Sequence, residues 1–126
     1  MRGTTLAQLR EQREIARQEG ITCFKGGIPG YYEWIDTHAK IRDAIKSIER
    51  LRLGLGPDID IGVDFHAKTS PSVASIIVKE TEPLNLLFIE EPCPPENVEA
   101  CCGSPSGRPR RSRRANGWWL RMAAAS

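Results

Sequence analysis

Apolar residues recur at helical spacing along two stretches of the chain, with polar residues at the intervening positions. Residues 4–19 carry a thin apolar stripe; Thr4 or Thr5 can cap its amino end, and Gly20 is placed to end it. Residues 37–54 carry a fuller stripe, in which five apolar residues fall at i, i+3, i+4, i+7 and i+10: Ile41, Ala44, Ile45, Ile48 and Leu51. Such stripes are typical of helices buried along one side, so two amphipathic helices are predicted.

Short apolar runs lie between these helices and after them. The runs at 21–25, 59–64 and 86–90 have the length and composition of strands. Asp36 is the expected cap of the second helix, and Pro71 is placed to open a third, because proline suits the first helical position. That third helix would turn three apolar residues inward: Val73, Ile76 and Ile77. Helices and strands therefore alternate along the chain.

The alternation predicts an α/β fold, with a parallel sheet covered by helices and with all strand carboxyl ends on one edge. Pro95 would begin a further helix. The chain has 126 residues, about half the ~250 of a (β/α)8 TIM-type barrel. We predict about three βα units over residues 1–100, few enough to form only part of a (β/α)8 TIM-type barrel, followed by a disordered tail over residues 101–126.

The composition is ordinary for a globular protein in water, with 40% apolar and 27% charged residues. No apolar run approaches the ~20 residues that span a bilayer. The first residues also lack the apolar core of a signal peptide. These features predict a cytoplasmic protein without a membrane partner.

The charge balance changes abruptly near residue 100. Residues 1–100 hold all 16 acidic groups, whereas residues 101–126 hold six arginines and no acid. One hypothesis is that this basic tail is translated from a shifted reading frame. Codons for residues 110–117 can be chosen that, regrouped from the third base, encode Pro-Ile-Ala-Thr-Gly-Glu-Arg. The less favoured alternative is an arginine-rich tail that binds nucleic acid or another acidic surface.

A charged residue ends each predicted strand: Lys25 the first, Asp64 the second and Glu90 the third, with His66 two residues beyond Asp64. In a parallel sheet these ends share one edge, where two neighbouring carboxylates would repel each other without a cation between them. Oxygen ligands favour a hard ion such as Mg2+. Taken alone, each residue also has an ordinary explanation, as a turn former, a packing histidine or a solvated lysine.

Two sequence motifs on successive strands indicate a protein family more specifically than any one of their residues does alone. Residues 63–66, Val-Asp-Phe-His, and residues 87–92, Leu-Phe-Ile-Glu-Glu-Pro, together resemble the mandelate racemase-like branch of the enolase superfamily. The resemblance covers about residues 4–100. Within that branch, the stretches at 30–41 and 56–66 look closest to the sugar-acid dehydratases that act on D-galactonate.

The resemblance implies a TIM-type barrel dehydratase in which carboxylates at successive strand ends hold Mg2+. Asp64 would be the first ligand and Glu90 the second, while His66 would be the general acid that helps the 3-hydroxyl leave as water. Lys25 falls at the family's strand-end lysine and would bind substrate. Cys23 stands where the family's Lys-x-Lys pattern has its first lysine, so a racemase-type lysine base is not expected.

The implied partners are a small-molecule sugar acid and, in intact relatives, further copies of the same chain, but not nucleic acid. The family's third carboxylate, in a Gly-Glu-Arg motif, and its later His-Asp base pair do not occur in the sequence as written. We therefore expect this chain to be inactive alone. Two alternatives stay open: another racemase or cycloisomerase of the superfamily, and a non-enzymatic protein with a nucleic-acid-binding basic tail.

Overall fold

Three helices and three strands alternate along residues 4–97, the part of the chain that the computed structural model describes. The helices are Leu6–Glu19 (α1), His38–Leu55 (α2) and Pro71–Thr81 (α3). The strands are Cys23–Gly27 (β1), Asp60–Asp64 (β2) and Phe88–Glu90 (β3), and short 3-10 helices cover Glu82–Leu84 and Pro95–Asn97. The predicted α/β fold is confirmed, whereas the predicted tail over 101–126 lies outside the described residues.

The strands form one parallel sheet in the order β1-β2-β3. The register places Gly27, Asp64 and Glu90 side by side in the last row of the sheet. Because side chains alternate between the two faces of a strand, this row belongs to one face, and the preceding row, with Val63 and Ile89, belongs to the other. A Cβ atom at Gly26, the register partner of Val63, would meet Leu51 of α2, so the second face is the one that the helices cover.

The core fills the space between this covered face and the apolar stripes of the three helices. Its buried members include Leu9, Ala16, Ile41, Ala44, Ile48, Leu51, Leu55, Ile61, Val63, Phe65, Val73, Ala74 and Ile77. The prediction that Ile76 faces inward is wrong, since it is 41% exposed and Ala74 is buried in its stead. Ile76 lies about 100° around α3 from Ile77, outside the narrow stripe that contacts the core.

Most predicted helix ends are confirmed. The Thr5 hydroxyl accepts the Gln8 N–H at the start of α1, and Gly20, with φ of 71°, ends that helix in the left-handed conformation. At α3, the Ser70 side chain caps the amino end and Pro71 occupies the first turn. In the part of the chain that the structure describes, no helix is both long and apolar enough to cross a membrane.

The amino end of α2 differs from the prediction, because its cap is Thr37 and not Asp36. The Thr37 hydroxyl accepts the Lys40 N–H at 3.3 Å. The Asp36 carboxylate instead accepts the Glu33 and Thr37 backbone N–H groups, at 2.9 and 2.7 Å, and pairs with the Lys40 ammonium at 3.2 Å. Asp36 therefore fixes the loop that leads into the helix, a role as a local turn former.

Strand β1 continues to Gly27, two residues beyond the predicted strand end at Lys25. Gly26 and Gly27 pair in register with Val63 and Asp64. A Cβ atom added at Gly26 would lie 2.8 Å from a Leu51 methyl carbon, so the glycine allows α2 to approach the strand closely. A glycine pair is common in loops, but here both glycines pair within the sheet and Gly26 permits close packing against α2.

Arg52 at the end of α2 fixes the other edge of the sheet. Its guanidinium donates hydrogen bonds of 2.7 to 3.0 Å to four backbone carbonyl oxygens: those of Gly56, Ile59, Leu84 and Asn85. These carbonyls belong to the turns that precede β2 and β3. A single side chain thus aligns the starts of both strands, which supports the register at their opposite ends.

Candidate active site

Two carboxylates lie next to each other at the carboxyl edge of the sheet. Asp64 and Glu90 are the last residues of β2 and β3, and they are direct partners in the parallel register. Asp64 is only 7% exposed, and the Glu90 side chain is 22% exposed. Such a pair requires a nearby positive charge, because two adjacent, partly buried carboxylates repel each other.

Lys25 supplies this positive charge. Its Nζ lies 3.0 Å from Asp64 Oδ2 and also forms an ion pair with Glu90 Oε2. Lys25 and Gly27 lie two residues apart on β1, so both belong to the face that carries the carboxylates. The Lys25 side chain is 50% exposed, which leaves the ammonium in contact with solvent as well as with both acids.

The surroundings shift the proton affinities of this group of residues. Hydrogen bonds to Glu90 and then to Asp64 raise the pKa of Lys25 above its ordinary value. Burial alone would raise the pKa of Asp64, but the Lys25 ammonium, the His66 backbone N–H and the His66 ring together hold that pKa below its ordinary value. The arrangement therefore favours a charged ammonium beside a charged carboxylate.

His66 stands directly beside this pair. Its backbone N–H donates to Asp64 Oδ1 at 2.8 Å, and its ring Nδ1 lies 3.4 Å from the same oxygen. Both His66 and Ala67 adopt positive φ angles, of 53° and 52°. Left-handed backbone at residues other than glycine is uncommon and is enriched at functional sites. This turn brings the half-exposed imidazole back over Gly27, within van der Waals range of a Cβ built there.

Backbone and side-chain contacts hold the strand ends together. Phe65 N–H donates to the Glu90 carbonyl at 2.9 Å, and Ala67 N–H donates to the Glu91 carbonyl at 2.9 Å. The buried Thr69 hydroxyl donates to the Pro92 carbonyl. The two loops that carry the candidate residues are thereby tied to each other, which restricts their relative movement.

A contact between Phe88 and Gly62 lies next to the candidate site on the same face of the sheet. The Phe88 ring covers Gly62, where a Cβ atom would penetrate the ring. Gly62 is the partner of both Lys25 and Phe88 in the register, two residues before Asp64, so it lies on the same face of the sheet as the two carboxylates. The missing side chain at position 62 gives the aromatic ring its place on the site face.

The donor set suits a hard divalent cation. Asp64 and Glu90 present carboxylate oxygens at one edge, and Mg2+ is commonly held by one or two carboxylates with water and substrate oxygens completing its shell. Among residues 4–97 no group of three or more His, Cys, Asp or Glu side chains could hold a metal. Asp64 and Glu90 alone would supply only two oxygen ligands to such an ion, and its remaining ligands would have to come from other groups.

The structure brings all four predicted site residues together: Lys25, Asp64, His66 and Glu90. The contact of Lys25 with both carboxylates was not predicted, because it depends on the register of β1 against β2 and on the Lys25 rotamer. Tyr31 and Trp34, in the loop after β1, are 85% and 62% exposed. The Lys68 ammonium lies 5.5 Å from the centre of the Tyr31 ring, within the range of a cation–π contact.

Comparison with known proteins gives consistent matches. A family model for enolase C-terminal domain-like proteins matches residues 8–102. Over 85 residues, 66% of this chain, the sequence is 40% identical to D-galactonate dehydratase from Cronobacter sakazakii. Over 65 residues, 52% of this chain, it is 38% identical to D-galactonate dehydratase from Klebsiella pneumoniae.

A solved structure shares the fold. An enolase from Bradyrhizobium, complexed with magnesium and mandelic acid, superposes with a TM-score of 0.63 and 25% sequence identity. The match covers 79% of this chain and 27% of that one. The chain spans only 22% and 17% of the lengths of the two curated relatives.

Proposed function

The chain belongs to the enolase C-terminal domain-like family, and from that membership we propose that its site is part of a Mg2+-dependent sugar-acid dehydratase. The observation that carries the proposal is the pairing of Asp64 with Glu90 at the carboxyl edge of the sheet, with Lys25 and His66 in contact with Asp64. In β/α barrels that edge carries the catalytic residues.

The proposed reaction converts D-galactonate into 2-dehydro-3-deoxy-D-galactonate. A proton is removed from the carbon next to the carboxylate, the 3-hydroxyl leaves as water, and the resulting enol becomes the keto acid. Two D-galactonate dehydratases match this chain at 40% and 38% identity, which supports the choice of substrate. The ion, when bound, would supply positive charge at the substrate carboxylate, where negative charge develops as the proton is lost.

Asp64 and Glu90 are proposed to hold the ion, and His66 is proposed to protonate the departing hydroxyl. The ring Nδ1 of His66 lies 3.4 Å from Asp64 Oδ1, which leaves Nε2 on the side of the ring away from that oxygen. The ring is half exposed, so Nε2 can reach a bound molecule on the site face. An imidazole can donate a proton near neutral pH, as this role requires.

Lys25 is proposed to contact the substrate. Its ammonium lies on the face that carries both carboxylates and has solvent on its free side. A sugar acid brings a carboxylate and several hydroxyls, all of which can accept hydrogen bonds from an ammonium. The residues present would thus bind, orient and protonate the substrate, while the whole reaction also needs a base and further ligands. We therefore expect no turnover by the 126-residue chain alone.

Metal binding provides the test of this proposal. Mn2+, a spin-active substitute for Mg2+, would be titrated into the full chain, and the free ion would be followed by electron paramagnetic resonance. Glu90→Gln should weaken Mn2+ binding by about tenfold or more, since it removes a proposed ligand charge. Glu91→Gln, the matched control, changes the adjacent exposed glutamate and should leave affinity within about threefold.

A second titration tests the substrate. D-galactonate should bind more tightly when the chain is saturated with Mg2+, as measured by calorimetry, and Glu90→Gln should remove that difference. Equal Mn2+ affinity in Glu90→Gln and Glu91→Gln, or no measurable Mn2+ binding by the folded wild-type chain, would contradict the proposed metal site. Turnover of D-galactonate by the wild-type chain would contradict only the expectation that it is inactive alone.

A further inference from the structure

We propose that the Lys25 ammonium is a built-in counter-ion that occupies the position of the divalent cation between Asp64 and Glu90 and leaves when that cation binds. Lys25 would then regulate metal affinity in addition to any contact with substrate. The inference rests on the proposed function, because it takes Asp64 and Glu90 to be metal ligands. Its basis in the structure is that one ammonium contacts one oxygen of each carboxylate.

The ammonium and a divalent cation compete for the same oxygens. Asp64 Oδ2 and Glu90 Oε2 both contact Lys25 Nζ, and an ion bound between the two acids would take these oxygens as ligands. Two positive charges cannot share the gap, since they repel each other and would have to divide the same lone pairs. Metal binding therefore requires that Lys25 move.

The structure allows that movement at little cost to the fold. The backbone of Lys25 is fixed by pairing between β1 and β2, but half of its side chain is exposed on a flexible four-carbon stem. Asp64 Oδ1 stays on the His66 backbone N–H during the exchange, so only Oδ2 changes its partner. The rearrangement is a rotation of one side chain, and the released ammonium remains on the site face.

The arrangement has two opposing effects. In the metal-free chain, Lys25 neutralises two adjacent carboxylates and so stabilises the sheet edge. In the presence of metal, the lost ion pairs oppose binding, which makes the apparent affinity weaker than the two carboxylates alone would give. Removing the ammonium should therefore destabilise the metal-free chain and tighten metal binding, a combination that an ordinary structural lysine would not produce.

The first experiment compares Mn2+ affinities of the full chain at fixed pH and ionic strength. Lys25→Met keeps most of the stem but lacks the charge and should bind Mn2+ about tenfold more tightly than wild type. Lys25→Arg keeps the charge and should stay within about threefold. Lys68→Met, the control, removes a positive charge from the loop after β2 and should also stay within about threefold.

The second experiment uses the wild-type chain, so it does not depend on the folding of a variant. Acetylation of each lysine by an amine-reactive ester is followed by mass spectrometry, with and without saturating Mn2+. Release of Lys25 should raise its labelling rate about threefold or more, while Lys68 serves as the internal reference.

The outcomes separate this inference from the proposed function. Tighter Mn2+ binding by Lys25→Met, together with faster labelling of Lys25 in Mn2+, would support the exchange. Unchanged or weaker binding by Lys25→Met, or unchanged Lys25 labelling, would overturn it while Glu90→Gln still shows the metal site. If Glu90→Gln binds Mn2+ as well as wild type does, the proposed site itself fails, and the exchange fails with it.

Discussion

At the scale of single residues, Asp64 connects folding with the proposed chemistry. One carboxylate oxygen accepts the His66 backbone N–H, the other pairs with Lys25, and the backbone carbonyl accepts the Ile28 N–H at 3.3 Å. The side chain is almost completely covered. A buried carboxylate with these partners organises the strand end, so its removal should affect stability as well as the proposed ion binding.

Asp64 should make stability depend on pH in the acid range. Its pKa is lowered in the folded chain, so the stabilisation is present above the ordinary aspartate pKa and is lost as the pH falls through the folded value. Asp64→Asn should lower the free energy of unfolding by about 1 kcal/mol at neutral pH, and this difference should shrink below about pH 4.

Urea unfolding of both chains at neutral pH and at about pH 3 measures this effect. Asp58→Asn, which changes an exposed aspartate, is the control and should leave the pH dependence of wild type intact. A difference between wild type and Asp64→Asn that is the same at both pH values would show that the ionised form of Asp64 does not stabilise the fold.

At the scale of elements, close contacts at glycines determine how the helices approach one another and the sheet. Gly54, near the end of α2, is buried against Leu9 of α1, and a Cβ atom added there would overlap the Leu9 side chain. Gly20, which ends α1, has open space around it and instead needs its positive φ. The two glycines are thus required for different physical reasons, one by packing and one by backbone conformation.

Gly54→Ala should destabilise the chain by about 1–3 kcal/mol because α1 and α2 must separate to admit the methyl group. Intrinsic helix propensity alone would give the opposite sign, with alanine favoured by about 1 kcal/mol. Gly20→Ala should cost about 1 kcal/mol through backbone strain. Thermal unfolding with full calorimetric analysis distinguishes these cases; a stabilised Gly54→Ala would mean that the helices pack less closely there.

The helices and strands show which features of the fold the sequence pattern predicts and which it does not. Periodicity predicted the type and order of all three helices and all three strands, because apolar spacing reflects which side is buried. It placed the end of β1 too early, since Gly26 and Gly27 carry turn propensity in the sequence but are fixed by pairing with β2. Asp36 and Thr37 are both good caps by residue type, and only the backbone geometry of the loop determines which one serves.

For the candidate site, the sequence could predict which residues lie at the strand ends but not the contacts between their side chains. Strand ends and two short motifs indicated Asp64, His66 and Glu90, because parallel strands deliver their carboxyl ends to one edge. The resemblance drawn from those motifs is confirmed by the family match over residues 8–102. That Lys25 reaches both acids depends on the register of β1 against β2 and on a side-chain rotamer, neither of which is encoded by local sequence.

At the scale of the whole molecule, the described residues form three helix–strand units around one three-stranded parallel sheet. Within residues 4–97, β1 and β3 each have a strand partner on one side only. In a closed (β/α)8 barrel every strand has two neighbours. Unpaired strand edges expose backbone N–H and C=O groups that can pair with another chain.

We therefore expect the purified 126-residue chain to self-associate. Light scattering after size-exclusion chromatography should show a mass that rises with protein concentration over about a hundredfold range. Association through strand edges should persist in about 1 M NaCl, whereas association through charged segments should decrease there. A monomer at all concentrations would mean that the strand edges are protected.

The contact between the Phe88 ring and the bare backbone of Gly62 also has an evolutionary consequence. A side chain at position 62 and a ring at position 88 compete for one volume, so neither position can change size alone without loss of packing. Substitutions at the two positions should therefore covary across homologous sequences, with a bulky residue at one accompanied by a small residue at the other. Sequences in which both positions have changed together should retain the packing, whereas sequences in which only one of the two has changed should be rare.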